Sequence, residues 1–469
     1  MCDGIASELD GIDLGDKRLN ERSQVIIEAL GANPEASCNS AIDGWSDTLA
    51  AYRFFDNKSV QPEAILNPHV ESTKRRMQEH PVVLIAQDTT ELDYSDHPPT
   101  DARCLNTENR LGLYDHTHLA LTPNGLSLGV VGVEYFDRDE EGLGQSKERS
   151  KLPIEEKESL RWLTGYRLAC ELARDCLETQ VVSVADREAD LYDIFMESEQ
   201  QADEYAQSAD FIIRAKIKRS LPQRDPDAGP HAYKKVRDEV SRSELRTTQT
   251  IDLPRTPKRA ARTATLEVRA IGVTVKPPHE RSYLPTVSYN VVLVEEVDGA
   301  GDGTDVSWLL ITSLPIDTLD EIQLVIDYYV ARWTIEVFFR VFKTGCQVEQ
   351  IQLETLARLK NCLAFYKIIA WRIMYLTHLN RECPTLPCDA VFDDSEWKSV
   401  WRVVTKTALP STPPSLSDFM ALLTQLGGYN NRRTESPPGP KPVWTGIRRM
   451  TDLATAWTTF GPEPQNTRV

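Results

Sequence analysis

The chain has 469 residues, a formal net charge of −18, 41% hydrophobic residues and 26% charged residues. That balance is globular rather than disordered, and the length allows about two to four domains with a substantial core. No apolar run approaches the roughly 18–20 residues of a membrane span, no charged-then-apolar leader follows Met1, and nine scattered cysteines fit reduced thiols, so the expectation is a cytoplasmic protein without a disulfide framework.

Residues 1 to about 75 are predicted helical. Leu19 to Ala32 and Trp45 to Phe55 carry apolar residues at helical spacing, with Asn57 and Pro62 breaking between segments. Strand signals then run from Pro81 to Phe136. The apolar run from Pro81 to Ala86 ends on Gln87, Asp88, Thr89 and Thr90, as expected where a buried strand delivers an acid to a sheet edge. Pro123-Asn124-Gly125 predicts a hairpin turn between Leu119–Leu121 and Leu126–Val131. Pro153 and the acids Glu155 and Glu156 open a predicted helix to about Glu178, with Leu160, Leu163, Tyr166, Leu168, Leu172 and Leu177 as its core stripe. Val181 to Ala185 then repeats the earlier strand pattern and ends on Asp186.

From about Phe211 to Pro315, short β runs such as Ala264 to Val275 and Val287 to Val294 alternate with Pro, Gly and Arg and predict a β-rich insertion. Between Arg214 and Arg262 there are 14 Lys and Arg against 6 Asp and Glu, a local balance of 14 − 6 = +8 in an acidic chain. Such a run is either a solvated loop face or a surface for phosphates. Residues 319 to 347 and 355 to 381 are helical by period. After Pro442, Trp444, Ile447, Met450, Leu453 and Trp457 recur on one helical face, suited to a partner chain or to the chain's own core.

The most informative stretch is Tyr329 to Glu336, followed by Lys343. On an ideal helix Tyr329, Arg332, Glu336 and Lys343 fall at about 0°, 300°, 340° and 320°, a narrow face that presents a carboxylate between two cations inside an apolar run. A cleft-facing acid needs a partner, and a metal ion is the strongest candidate. Asp88 and Asp186 supply two more acids, separated by 186 − 88 = 98 and 336 − 186 = 150 positions, so that only the fold can unite the three. Their settings read strand, strand, helix, the order of an RNase H-like nuclease core. Three carboxylates offer the hard oxygen ligands that Mg²⁺ or Mn²⁺ prefers, and two such ions can activate an attacking oxygen and stabilise a leaving one.

These residues carry a family resemblance. Leu14-Gly15-Asp16-Lys17-Arg18, Ala51-Tyr52-Arg53-Phe54, Asp88-Thr89-Thr90, Glu156-Lys157-Glu158-Ser159, Asp186-Arg187-Glu188-Ala189-Asp190, Trp308-Leu309-Leu310 and the Tyr-Arg-Glu-Lys helix together resemble the DDE transposases of bacterial insertion sequences, in particular the Tn5 transposase and its IS4 relatives. The resemblance implies an α/β fold with these parts: an end-binding helical module at 1–75, an RNase H-like core at 76–210 and 316–382, a β-rich insertion at 211–315 and a helical candidate dimerisation region at 383–469. It implies Asp88, Asp186 and Glu336 as catalytic metal ligands for Mg²⁺, with Mn²⁺ as substitute. Tyr329, Arg332, Lys343, Arg214 and Lys216 become DNA contacts, and Trp308 a stacking platform for a flipped base. The implied partners are transposon-end DNA, target DNA and a second copy of the chain, with nucleoid association when DNA is bound. The implied reaction is cut-and-paste transposition through nicking, hairpin formation, hairpin resolution and strand transfer. A nuclease without strand transfer, or an inactive DNA-binding descendant, is the alternative.

Overall fold

The computed structural model describes residues 4–42, 44–107, 109–137, 153–216, 219–229, 231–253, 261–297, 299, 305–430 and 438–461. Part of the cationic run, at 217–218 and 254–260, lies outside them. The N-terminal module is helical as expected, with α1 (Lys17–Ala32), α2 (Cys38–Ala41), α3 (Trp45–Phe55) and α4 (Pro62–Met77). Asp16 caps α1 by accepting from the Arg18 amide, and Pro62 starts α4, where its missing N–H costs nothing.

The core is a large sheet. Strands β1 (Val82–Asp93), β3 (Leu111–Leu121) and β4 (Ser127–Phe136) form its antiparallel part, with the short β2 (Arg103–Cys104) beyond β3. The β3–β4 turn is the predicted one: Gly125 has φ +85°, and the Thr122 amide donates to the Leu126 carbonyl at 2.9 Å. Helix α5 (Leu160–Asp175) follows, shorter than the sequence suggests. Its Leu163, Tyr166 and Leu172 are buried, whereas Leu177 lies past the helix end and is 70% exposed. Strand β5 (Gln180–Ala185) runs parallel to β1, and after helix α6 (Tyr192–Glu204) β6 (Asp210–Arg214) runs parallel to β5. Three antiparallel strands followed by two parallel ones, with helices on both faces, make the RNase H-like core.

The boundary expected at residue 211 falls inside β6, because this strand pairs with β5 and closes the core. The insertion leaves after it. It contains β7 (Ser220–Arg224), β8 (Tyr233–Lys235), helix α7 (Val236–Ser241), β9 (Leu245–Leu253), β10 (Arg262–Val275) and β11 (Val287–Val297), and returns along β12 (Ser307–Thr312). Strand β12 pairs antiparallel with β6, so β12, β11, β10 and β9 continue the core sheet without interruption.

Helix α8 (Leu319–Ala331) opens on a reciprocal cap: the Thr318 hydroxyl accepts from the Glu321 amide, and the Glu321 carboxylate accepts from the Thr318 amide. The expected single helix over 319–347 is broken. The chain kinks at Arg332–Trp333, resumes as α9 (Thr334–Arg340) and then loosens into a π turn at Val341–Gly345. The long α10 (Leu356–Glu382) is buried along most of its length and is followed by α11 (Asp394–Thr405), α12 (Leu416–Leu426) and α13 (Pro440–Phe460). Burial sorts by alternation along the strands. Leu84, Ala86, Val182 and Val184 pack with Ile335, Phe338 and Leu363, while Val83, Ile85 and Val181 pack with Trp162, Tyr166 and Phe195.

The apolar stripe of α13 is turned inward. Trp444 and Met450 are buried, and the Trp444 indole donates to Glu35 Oε1 at 2.8 Å, so this part of the stripe is the chain's own core, whereas Ile447, Leu453 and Trp457 are half-buried. The described cysteines carry no disulfide, and all but Cys383 are buried. No helix of the described residues is long and apolar enough to cross a membrane.

Candidate active site where the parallel strands end

The pairing of β1 with β5 ends at Ala86 opposite Val184, and Asp88 and Asp186 follow two residues later on each strand. Alternation therefore sends both carboxylates to the face covered by α8 to α10. Asp88 accepts from its neighbouring Thr89 amide at 2.8 Å, and Asp186 caps a short turn by accepting from the Glu188 amide at 2.7 Å. Both carboxylates are thereby anchored by main chain.

Glu336 arrives from α9, and the kink before that helix is what aims it. Because Arg332 leaves α8 at its last turn, its buried guanidinium reaches back to donate to Asp88 Oδ2 at 2.9 Å and forward to Glu336 Oε1 at 3.1 Å. Asp186 is close enough to act electrostatically on Asp88, Arg332 and Tyr329. Burial pushes the Asp88 carboxyl up to about 6; Arg332 and the Thr89 amide oppose this, and the negative charges of Asp186 and Glu336 add to it. Two carboxylates thus share one guanidinium with a third, Asp186, within its electrostatic reach, and the surplus negative charge suits a hard cation. Among the described residues no three ligating side chains already stand closed around a common point. Arg332 occupies the space between Asp88 and Glu336 as their counter-ion.

The other expected contacts are distributed unevenly. Tyr329 is buried, with its ring 5.6 Å from that of Trp308 and its hydroxyl in contact with Arg214. Arg214 also donates to the Ser307 carbonyl at 3.1 Å. Lys216 is exposed, and its main-chain amide donates to Asp190. Lys343, displaced by the π turn, points away from the acids and binds the Glu91 carbonyl at 2.7 Å and Glu349 at 3.0 Å. Trp308 is only 8% exposed, wedged between Tyr329 and Trp333, whose ring centroid is 5.5 Å away. Trp333 is the accessible member of that pair at 41% exposure. By sequence it is one more apolar residue of the helix, and the kink is what turns it outward.

Behind the acids, on the opposite face, lies a polar layer. Thr89 shares a 2.9 Å hydrogen bond with His116 Nδ1 and accepts from Arg161 at 3.0 Å, and Arg161 donates at 2.8 Å to Glu188, two residues past Asp186. Helix α5 approaches this layer closely because residue 165 is glycine; a Cβ there would collide with Gln87 and the His118 ring. Several cations of the insertion are likewise committed within the chain, Arg219 to Asp190, Arg237 to Glu295 and Arg262 to Glu296.

Comparison with protein families agrees with this architecture. Residues 1–60 match the transposase DNA-binding family, residues 172–372 the transposase DDE domain, and residues 368–456 the Tn5 transposase dimerisation domain. The three follow one another along the chain with the DDE match spanning Asp186 to Glu336, and the dimerisation match covers the second half of α10, all of α11 and α12 and most of α13. A helical DNA-binding module, a divalent-metal nuclease core and a dimerisation region in this order identify the chain as a member of the Tn5-like, IS4-type DDE transposases.

Proposed function

We propose that this transposase works by cut and paste, nicking the ends of its element, closing and reopening a hairpin there, and joining the freed ends to target DNA. The observation that carries this reading is the convergence of Asp88 and Glu336 on Arg332 beside Asp186. Asp88, Asp186 and Glu336 would hold Mg²⁺, or Mn²⁺ in its place, as metal ligands. Bound there, divalent ions would lower the pKa of the attacking oxygen and neutralise the leaving one. Arg332 has a planar fork suited to a phosphate, and a phosphodiester entering the site offers its guanidinium a new partner in place of the carboxylates.

In this reading Lys343, on leaving Glu91 and Glu349, and the Tyr329 hydroxyl brace the same strand, while Arg214 at the end of β6 and Lys216 just beyond it grip the flanking duplex. A base flipped during hairpin formation would meet Trp333 first, with Trp308 as the wall behind it; stacking of this kind is worth about 1–3 kcal/mol per base. Two ends must be cut and joined in concert, and each chain carries one set of acids, so a pair of chains holding two ends is the working assembly.

The test is to incubate the protein with pre-cut element ends, a plasmid target and Mg²⁺. Joined products are expected. Cleavage without joining would reduce the reading to a nuclease, and a shifted but intact duplex would reduce it to a DNA-binding descendant.

A further inference from the structure

A buried ion pair stands directly behind the acids, and the chemistry above does not use it. Lys367 of α10 and Asp115 of β3 are both fully buried, with Nζ 2.5 Å from Asp115 Oδ2. The same ammonium donates to Thr117 Oγ1 at 2.7 Å, and the Thr117 hydroxyl donates to Asp115 Oδ1 at 2.7 Å. Thr117 is the cross-strand partner of Asp88, and Asp115 that of Thr90. Directly paired residues of adjacent antiparallel strands point to the same face, so the pair shares the face of Asp88. On its other side the ammonium meets the segment that carries Glu336: Phe342 at 4.1 Å, Phe338 at 5.3 Å and Phe339 at 5.5 Å from ring centroid to Nζ.

One charged group therefore touches both the strand beside Asp88 and the aromatic underside of the Glu336 helix. Desolvating two charges costs several kcal/mol, and apolar residues of similar volume would hold the helix to the sheet at least as firmly. What the apolar contact lacks is direction. A methionine could slide along a leucine, whereas an ammonium with two fixed oxygens and three ring faces has one seat.

We propose that Lys367 and Asp115 are positioning residues that set the separation of Asp88 and Glu336 for metal binding. The proposal rests on the reading of those two acids as metal ligands. Neither Lys367 nor Asp115 touches the ion; they act through Thr117 on β3 and through the rings of Phe338, Phe339 and Phe342.

The test compares Lys367→Met/Asp115→Leu with the wild type. Removing both charges leaves only the neutral Thr117 hydroxyl without its partners, so the double variant is expected to melt close to the wild-type temperature, whereas either single substitution leaves a buried charge unpaired and lowers it further. Its Mn²⁺ affinity, measured without DNA by calorimetry, is expected to fall about tenfold, as losses behind a metal site commonly do. The Mg²⁺ concentration for half-maximal cleavage should rise by the same factor with end-DNA binding unchanged. Wild-type Mn²⁺ affinity in the stable double variant would overturn the proposal and leave the pair as packing alone. If the double variant does not fold, Thr117→Val removes one fixed oxygen; a loss of about threefold in Mn²⁺ affinity supports the proposal, and unchanged affinity overturns it. Asp88→Ala serves as the control: Mn²⁺ binding equal to wild type there would show that the ligand assignment has failed, and the positioning role with it.

Discussion

The two faces of strand β1 differ by a single step along the chain and are built to opposite ends. Asp88 faces α8 to α10, where Arg332 is shared between acids and Lys367 stands behind them. Gln87 and Thr89 face α5, where the histidines are buried beside Arg161 and Gln87 Nε2 donates to Ser183 at 2.7 Å. On the first face burial raises an acid, Asp88, to about 6; on the second it lowers a base, His118, to about 4, with the charge of Lys367 adding to the effect. The first face keeps unbalanced negative charge within reach of solvent, and the second keeps its histidines neutral beside the Arg161–Glu188 pair. A strand that must hold a reactive acid still is thus backed by a layer that does not titrate near neutrality.

The largest expected effect falls on the charged face. Asp88→Ala, Asp186→Ala and Glu336→Ala should each reduce Mg²⁺-dependent cleavage to background in a strand-resolved gel assay while a mobility shift still reports end binding. Cleavage retained by any one of them would remove that residue from the ligand set.

Next in size is the aromatic corner. Trp308→Ala should cost about 3–5 kcal/mol of stability because the ring is almost wholly buried. Trp333→Ala should cost less than about 1 kcal/mol but slow hairpin formation more than first-strand nicking. Denaturant melts paired with timed cleavage of each strand separate the two roles. An equal loss of nicking and hairpin formation in Trp333→Ala would mean that no base stacks there.

The two faces should also respond to pH with opposite sign in the metal-free protein. The Asp88 carboxyl is raised, so its contribution to stability is fully present below its ordinary value and is lost as pH rises through about 6. His118 is lowered, so its contribution is present above the ordinary histidine range and is lost as pH falls toward about 4. Relative to wild type, Asp88→Asn should therefore gain about 2 kcal/mol between pH 4 and pH 7. His118→Gln should be most destabilised at pH 7 and approach wild type by pH 4. Urea unfolding across that range measures both, and slopes of the same sign would contradict the assignment of a raised acid to one face and neutral histidines to the other.

The smallest expected effect is at the clamp between the faces. Glu188 is well exposed where it meets Arg161, so Glu188→Ala should change stability by less than about 1 kcal/mol in the same experiment.

Much of the core was legible in the sequence because strands announce themselves by alternation and end on acids only where something holds those acids. The β1 run into Asp88, the β5 run into Asp186 and the β3–β4 turn at Gly125 all lie where local pattern predicts them. The α8–α9 region was less legible. Apolar period alone continues smoothly through Arg332, and only the tertiary pull of two carboxylates explains a kink there; with the kink went the orientation of Trp333 and Lys343. The apolar stripe of α13 shows a second limit, since its period is the same whether the face meets another chain or, as Trp444 does, Glu35 of its own. The Lys367–Asp115 pair was beyond reach for a simpler reason: a lone lysine in an apolar helix carries no sign of the aspartate 252 positions earlier that receives it, 367 − 115 = 252.

The unbroken run of hydrogen bonds from β6 through β12 to β9 has a mechanical consequence. A close-packed sheet transmits strain rather than absorbing it, so the insertion and the acids behave as one stiff beam, with Arg214 near the acids and the cations of β9 and β10 toward the far end. Under the proposed function, duplex held at the far end would not drift against the reacting strand at the near end. Whatever turning the DNA undergoes between one cut and the next must be taken up by the nucleic acid itself or by elements outside the sheet.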